Sequence, residues 1–502
     1  MVTDAFIVAF RLPNMFRRIL GEGSLASSFV PLYVGLLNSD RTQRELSNID
    51  IHAREFLNAV FSMLSVLTSI LSVCGIVFMD SIIRWLVNGQ SYMGVEGKYD
   101  LTVFFARIMF GYVFLVTNYA FLTSVANAHR KFFIPALAPA GFNLVIVMMT
   151  LVPQLRFSGD QMAWGILIGG AVQLAMAAIP LWKLKIFPRW TINWNVVNVS
   201  LFFRNLIPSI AGAGIAQLTS ILNLHFASHL AQGSLSYIYF ADRLVEFPQS
   251  LIAVSLGVAL LPTLSELHSL NRRADFLITF QKHIRFLLMI SIPAAVGLWV
   301  LSEPIVRAIF GRGNFIQSDI STTAEIVKVY SIILIMTGLR RVTAPCFYAV
   351  KNTWVPAVSS IICFFVHYFV ASWATENFGL MGLVTATAIT GALNLCLLLS
   401  SFKVIFKELG FHTYVRSVLW LLPAVTLMGY VAHYSYLGSV AILNNIYFLK
   451  DDRLGLNNIV SLALAITLSV VVYFVTNFLF KHPEVNELRK KLIFRRASSS
   501  IF

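Results

Sequence analysis

The chain is a succession of apolar runs, each long enough to cross a lipid bilayer, and this restricts its fold more than any other feature. A spanning helix needs roughly 20 mainly apolar residues. Runs of that kind lie near 2–38, 55–87, 101–127, 133–153, 161–182, 201–228, 235–265, 281–310, 324–350, 355–375, 380–402, 415–435 and 457–480, about thirteen in all. Charged residues are 12% of the chain and hydrophobic residues 57%. A soluble protein of 502 residues could not hide so much apolar surface, because large soluble cores divide into domains with polar coats. The expectation is an all-α polytopic membrane protein.

The net charge of +15 has a spatial reading. In a soluble chain it would raise the question of nucleic acid; here the basic residues sit in alternate loops. One set holds Arg41, Arg44, Arg54, Arg130, Lys131, Lys183, Lys185, Arg189, Arg272, Arg273, Lys282, Lys351, Lys403, Lys407 and the tail from Lys481 to Arg496. The other is poorer: Lys98, Arg156, Arg312, and Lys450 and Arg453 beside Asp451 and Asp452. The rich set marks the cytoplasmic side, so the C-terminus is expected inside. One span must then precede the loop at Arg41, which puts Met1 outside and predicts a first helix that this sequence does not contain. No cleavable signal peptide is visible.

Four cysteines, Cys74, Cys346, Cys363 and Cys396, fall in apolar runs without metal-ligand spacing and read as small buried residues. The histidines are scattered and read as surface or interfacial groups. The first run is the least regular: Pro13 should kink it, and Gly21 and Gly23 interrupt it, leaving either one bent span or a span plus an interfacial helix.

Two internal echoes point to a repeat. Ala128-His-Arg-Lys-Phe-Phe-Ile-Pro-Ala136 aligns without gaps on Ala349-Val-Lys-Asn-Thr-Trp-Val-Pro-Ala357, an offset of 221 residues. Arg11-Leu…Val30-Pro31 echoes Arg243-Leu…Leu261-Pro262 at an offset of 232, with one residue of slippage. Both copies of the first turn lie on the cytoplasmic side, so two six-helix bundles are expected as parallel repeats.

Ionisable residues inside the hydrocarbon normally face a cavity or a partner. On an unbroken helix Asp4, Arg11 and Arg18 fall within roughly 40° of one another, with Asn14 at the edge of that stripe and Arg17 about a right angle or more away. Glu22 follows. A second cluster, Asp242, Arg243 and Glu246, has i, i+3 and i, i+4 spacings that let all three interact. Arg340 and Arg341 form a third site near the end of a span, where snorkelling competes; Arg107 is a lone charge with no assigned role. An arginine on each repeat suits an anionic, phosphorylated substrate, because the guanidinium fork donates two parallel hydrogen bonds.

These residues also resemble a known family. Asp4-Ala-Phe-Ile-Val-Ala-Phe-Arg-Leu-Pro-Asn14, then Arg17-Arg18, Glu22-Gly23 and Phe29-Val-Pro31, resembles the second-helix signature of the MurJ (MviN) lipid II flippases. Tyr239-Phe-Ala-Asp-Arg-Leu-Val-Glu-Phe-Pro248 with Leu261-Pro262 resembles the eighth helix. Phe310-Gly-Arg-Gly-Asn-Phe315 and Ala344-Pro-Cys-Phe-Tyr348 resemble two further stretches. The resemblance implies the fold of the multidrug/oligosaccharidyl-lipid/polysaccharide exporter superfamily, with fourteen helices of which the first, carrying two functional arginines, is missing here. On that frame the N-terminal lobe is 1–190, the second lobe 191–408, two additional helices 409–481 and a basic cytoplasmic tail 482–502. It implies Arg11, Asn14, Arg17, Arg243 and Arg341 for the substrate diphosphate, and Asp4, Glu22, Asp242 and Glu246 as a gating charge network. At Arg11 and Arg341 the family can carry lysine.

The implied activity is not enzymatic. It is movement of lipid II, the undecaprenyl-diphosphate-linked peptidoglycan precursor, across the bacterial inner membrane by alternating access. The diphosphate would lie among Arg11, Arg17 and Arg243, with the lipid tail near the last two spans. No cofactor, metal or nucleic acid is expected; membrane lipids are, and proteins of cell-wall synthesis or division are candidate partners. The coupling ion, any dependence on membrane potential and the oligomeric state are not legible. A flippase for another polyprenyl-diphosphate glycan, of O-antigen or capsule type, is the nearest alternative, and a non-transporting scaffold of the cell-wall machinery is another. A drug/cation antiporter would need an acidic cavity. A glycosyltransferase or phosphatase would need catalytic carboxylates or a histidine constellation, and neither is present as a motif.

Overall fold

The computed structural model describes residues 1–42, 51–154, 156–251, 255–350, 352–407, 411–445 and 456–480, with the backbone alone at 21–24, 27, 38–42, 211–213, 215, 216, 255, 257–259, 411, 444 and 445. Arg44, Lys351, Lys450 and the basic tail therefore fall outside the described residues, as does the side chain of Arg41. The described elements are helices. Eight stretches are long and apolar enough to cross a membrane: Ile51–Val77, Lys98–Ala128, Asp160–Lys183, Arg273–Val300, Gln317–Ala349, Trp354–Phe406, His412–Leu443 and Leu456–Leu479. Shorter apolar helices add Ser28–Leu37, Phe133–Met149 and Val199–Ile210.

The surface fits lipid. Leu67, Val73, Leu144, Phe365, Val404 and Leu479 stand exposed on helix faces, which a soluble protein would not tolerate in such density. All nine tryptophans are exposed, among them Trp85, Trp182, Trp299, Trp354 and Trp373 close to helix ends. Indole rings favour the membrane–water boundary, where one edge is wet and the other apolar.

The chain forms two compact units, Met1–Ser236 and Tyr237–Phe502. The first begins with α1 (Val2–Phe16), a π-wound stretch (Arg17–Ser24) and α2 (Leu25–Thr42). It continues with α3 (Ile51–Val77), the short α4 (Met79–Leu86) and α5 (Gln90–Met93), then α6 (Lys98–Phe110) and α7 (Tyr112–Ala128). α8 (Phe133–Met149), α9 (Asp160–Lys183) and α10 (Val199–Ser228) complete it. Helix α10 packs on the π stretch and α2. The contact boundary thus falls after α10, whereas the sequence frame begins its second lobe at residue 191.

Apolar contact with lipid is no worse than apolar contact with protein, so helix association rests on close packing. Phe29 shows how this unit achieves it. Its fully buried ring has Tyr33, Phe56, Phe121 and Phe202 at centroid distances of 5.1, 5.5, 4.8 and 6.3 Å. One side chain thereby joins α2, α3, α7 and α10.

In the second unit, α11 (Ser234–Gln249) leads to α12 (Ser255–Ser269), α13 (Arg273–Val300), α14 (Ser302–Phe310) and α15 (Gln317–Ala349). α16 (Trp354–Phe406), α17 (Phe411–Asn445) and α18 (Leu456–Leu479) follow. As a straight rod the 53 residues of α16 would reach about 80 Å, more than twice a bilayer core. Gly379 breaks it with φ 57° and ψ −135°, and the chain reverses so tightly that a Cβ on Gly382 would lie 1.9 Å from the Ala374 carbonyl oxygen. α16 is therefore two antiparallel arms, matching the expected spans near 355–375 and 380–402. α17 and α18 pack together and dock on α13 through Met289, Leu421, Val425, Met428 and Tyr473, whose hydroxyl donates to Met289 O.

The repeat is visible in backbone geometry. α7 and α15 end at Ala128 and Ala349, and α8 and α16 begin at Phe133 and Trp354, both at the offset of 221. The same bond closes each turn: Lys131 N–H donates to Ala126 O and Asn352 N–H to Phe347 O, each at 2.9 Å. The second echo also has a structural counterpart, since the winding widens to π after α1 and again at Ser250 and Leu251.

Three expectations need correction. The glycines at 21 and 23 do not interrupt the first helix; the chain runs helical from Val2 to Thr42, widening instead of breaking, and Pro13 stays inside α1. Cys346 and Cys363 are buried, but Cys74 and Cys396 are exposed on helix faces, where an apolar thiol lies against lipid at little cost. His367 is not interfacial: it is fully buried in the first arm of α16.

Candidate functional site

Within the first unit the charges of α1 find separate partners. Asp4 is 2% exposed and forms an ion pair of 2.8 Å with Lys98, itself 1% exposed. Ser236 Oγ donates to the other carboxylate oxygen, and Gly233 N–H donates to the first at 3.2 Å. Lys98 Nζ also lies 4.2 Å from the Tyr92 ring centroid, and the Tyr92 hydroxyl bonds Thr102 Oγ1 at 2.7 Å. A buried ion pair survives only when its remaining valences are met, and here Ser236, Gly233 and Tyr92 meet them. The cluster ties α1, α5, α6 and the turn into α11.

Lys98 was not legible as a partner. A lysine at the head of an apolar run reads as a snorkelling or loop residue, and nothing in the spacing links it to a residue 94 positions earlier. Nor does the ideal-helix stripe decide contacts: Asp4 and Arg11 are seven residues apart, about 10 Å along the axis, and each turns to another helix.

Arg11 donates to Ser220 Oγ of α10. Asn14, 6% exposed, accepts from Arg17 Nε at 2.9 Å. Arg17 is the first residue of the π stretch, and its i, i+3 spacing from Asn14 across the last α-helical turn brings the two side chains together. Arg18 is part-buried, and Glu22 lies outside the described side chains.

The second unit holds its own cluster on α11. Arg243 Nη1 donates to Glu246 at 2.7 Å, and the guanidinium sits 4.8 Å from the Tyr239 ring centroid. Both charged side chains are about two-fifths exposed, so the pair is held in place yet open to a competing anion. Asp242 adds its charge to the Arg243 environment. Phe240 anchors the helix between Phe310 and Phe315, at 4.7 and 5.7 Å, which gives Phe310-Gly-Arg-Gly-Asn-Phe315 a structural task. Tyr237 donates to Asp319 at 2.6 Å, and Asp319 in turn caps the start of α15. Arg341 is exposed on α15 while neighbouring Arg340 is part-buried. Among the described residues no group of three or more His, Cys, Asp or Glu side chains could hold a metal.

Comparison with known proteins places this arrangement. The family model described as "Lipid II flippase MurJ" matches residues 1–449. A "Probable lipid II flippase MurJ" of Bdellovibrio bacteriovorus is 39% identical over 404 residues, covering 80% of this chain and 76% of that protein. A "Lipid II flippase MurJ" of Burkholderia cenocepacia is 29% identical over 72% of this chain and 69% of that protein. Among solved structures, "Lipid II flippase MurJ, inward closed conformation" superposes with a TM-score of 0.75 at 23% identity, covering 95% of this chain and 92% of that one. An inward-facing multidrug resistance MATE transporter of the MOP superfamily gives a TM-score of 0.62 at 13% identity, over 82% and 94% of the two chains. These two structures carry the likeness of fold alone.

Proposed function

The chain belongs to the MurJ lipid II flippase family, and on that premise we propose that it moves lipid II from the cytoplasmic to the periplasmic leaflet of the bacterial inner membrane by alternating access. In this reading the basic loops face the cytoplasm, and the Lys98 end faces the periplasm. The observation that carries it is chemical. Arg11 and Asn14 lie on the second half of α1 and Arg17 opens the π stretch of the first unit, and Arg243 stands on α11 of the second in an open ion pair. A diphosphate recruits arginines because each guanidinium fork meets two phosphoryl oxygens.

Glu246 then acts as the internal competitor. With no substrate it holds Arg243; an arriving diphosphate displaces it, so binding releases a carboxylate that can pair elsewhere. Charge stays balanced throughout, which matters where unpaired ions are costly. The Asp4–Lys98 pair, sealed from solvent, serves as a latch at its end of the first unit. Proton or ion transfer to the substrate is not required, because no bond is made or broken.

Reconstitution into vesicles carrying lipid II tests this directly. The purified chain is expected to expose lipid II to an externally added reagent, and Arg243→Ala is expected to abolish that while inserting normally. Normal flipping by Arg243→Ala overturns the assignment of Arg243. If a different polyprenyl-diphosphate glycan is flipped and lipid II is not, the substrate assignment falls.

A further inference from the structure

His367 has no part in the site above, yet it is the only histidine among the described residues that is fully buried. It lies midway along the first arm of α16, in a ridge spaced one turn apart: Ser359, Cys363, His367 and Thr375, all buried, with Ala371 completing the spacing. The second arm presents Thr390 and Asn394 to this ridge. Thr390 Oγ1 lies 3.1 Å from His367 Nδ1, and the Asn394 side chain meets the Cys363 thiol. Thr390 gives its own proton to Ala386 O at 2.9 Å, so only its lone pairs remain for the imidazole. The ring also hydrogen-bonds the Ala386 backbone, so Thr390 and Ala386 of the second arm together hold it in place. Above and below, Ser359 Oγ and Thr375 Oγ1 are buried with no hydrogen-bond partner in the structure.

Buried hydroxyls are nearly always partnered, and an ionisable residue inside a membrane helix normally marks a pathway. Here two orphan hydroxyls bracket a histidine. From Ser359 to Thr375 the ridge spans about 24 Å, most of a hydrocarbon core of roughly 30 Å. We propose that the seam between the two arms of α16 is a proton pathway in which His367 is the proton-binding group.

A proton entering from one end binds the neutral imidazole, giving an imidazolium; loss of a proton toward the other end restores the neutral ring. No other reactant is needed. The charged and titratable groups at the seam are Cys363 and, acting on it from α15, Arg340; Glu376 follows Thr375 in the chain but is exposed. The pathway supplies a driving force to the transporter proposed above, but its test does not depend on the identity of the transported lipid.

The full chain is reconstituted without lipid II into vesicles enclosing a pH-sensitive dye, and proton entry is followed after a potassium diffusion potential is imposed. Wild type is expected to acidify the lumen several-fold faster than His367→Gln, which keeps a hydrogen bond to Thr390 but cannot titrate in this range. Ser359→Ala and Thr375→Val remove hydroxyls that hold no partner, so they leave folding intact and are expected to slow entry as well. Equal rates in wild type, His367→Gln and the hydroxyl variants overturn the proposal. Failure to flip lipid II with proton entry intact counts against the substrate assignment instead.

Discussion

Replacing Lys98 with methionine keeps the stem and removes the charge, leaving Asp4 buried with only Ser236 and Gly233 as donors. Removing one partner of a buried pair costs about 3–5 kcal/mol, because the remaining ion is left uncompensated. Both groups are almost wholly excluded from solvent, so screening offers no discount. The unfolding entropy of a domain is about 2.1 cal/mol/K per residue. If the unit Met1–Ser236 melts cooperatively, that entropy is about 0.5 kcal/mol/K, and each kcal/mol lowers Tm by about 2 °C. Lys98→Met should therefore melt about 6–10 °C below wild type in a detergent-solubilised thermal scan. The double variant Asp4→Asn with Lys98→Met removes both charges and should recover most of that loss, to within about 1–2 kcal/mol. A single variant that melts within 2 °C of wild type, or a double variant no better than the single, would show that the pair does not hold this end together.

Other consequences are more local. Gly382→Val places a side chain on the Ala374 carbonyl and should prevent accumulation of folded protein, whereas Gly391→Ala, with open space around it, should express normally; immunoblotting of membranes separates the two. Phe29→Ala empties the centre of four aromatic contacts and should cost about 3–5 kcal/mol, read as a lowered Tm. Asn14→Leu leaves Arg17 Nε without its acceptor and should reduce lipid II flipping with little change in Tm; unchanged flipping would count against a positioning role for Asn14.

Much of this molecule was legible in the linear chain because lipid imposes simple rules. Apolar length located most of the helices, including the two spans that α16 joins through Gly379, although the run expected over 235–265 is divided between α11 and α12. The repeated turn was readable because a helix end is a local event, decided by the few residues that close it. The arginines were legible as candidates because a charge in hydrocarbon requires a reason. Their partners were not. Asp4 meets Lys98, Gly233 and Ser236 from distant parts of the sequence, and Arg11 meets Ser220.

Glycines 21 and 23 looked like a break because propensity favours one, but contacts with α7 and α10 hold the stretch helical with more residues per turn. The histidine at 367 looked peripheral because only the folding back of α16 places Thr390 and Asn394 against its ridge. The sequence alone determined which segments enter the membrane and which residues are too costly to be there without purpose, since both depend on the transfer of single residues into lipid. Which charges meet, which hydroxyls are left without partners and where the helix winds wide were decided only by tertiary structure, since each depends on side chains that the chain brings together from far apart.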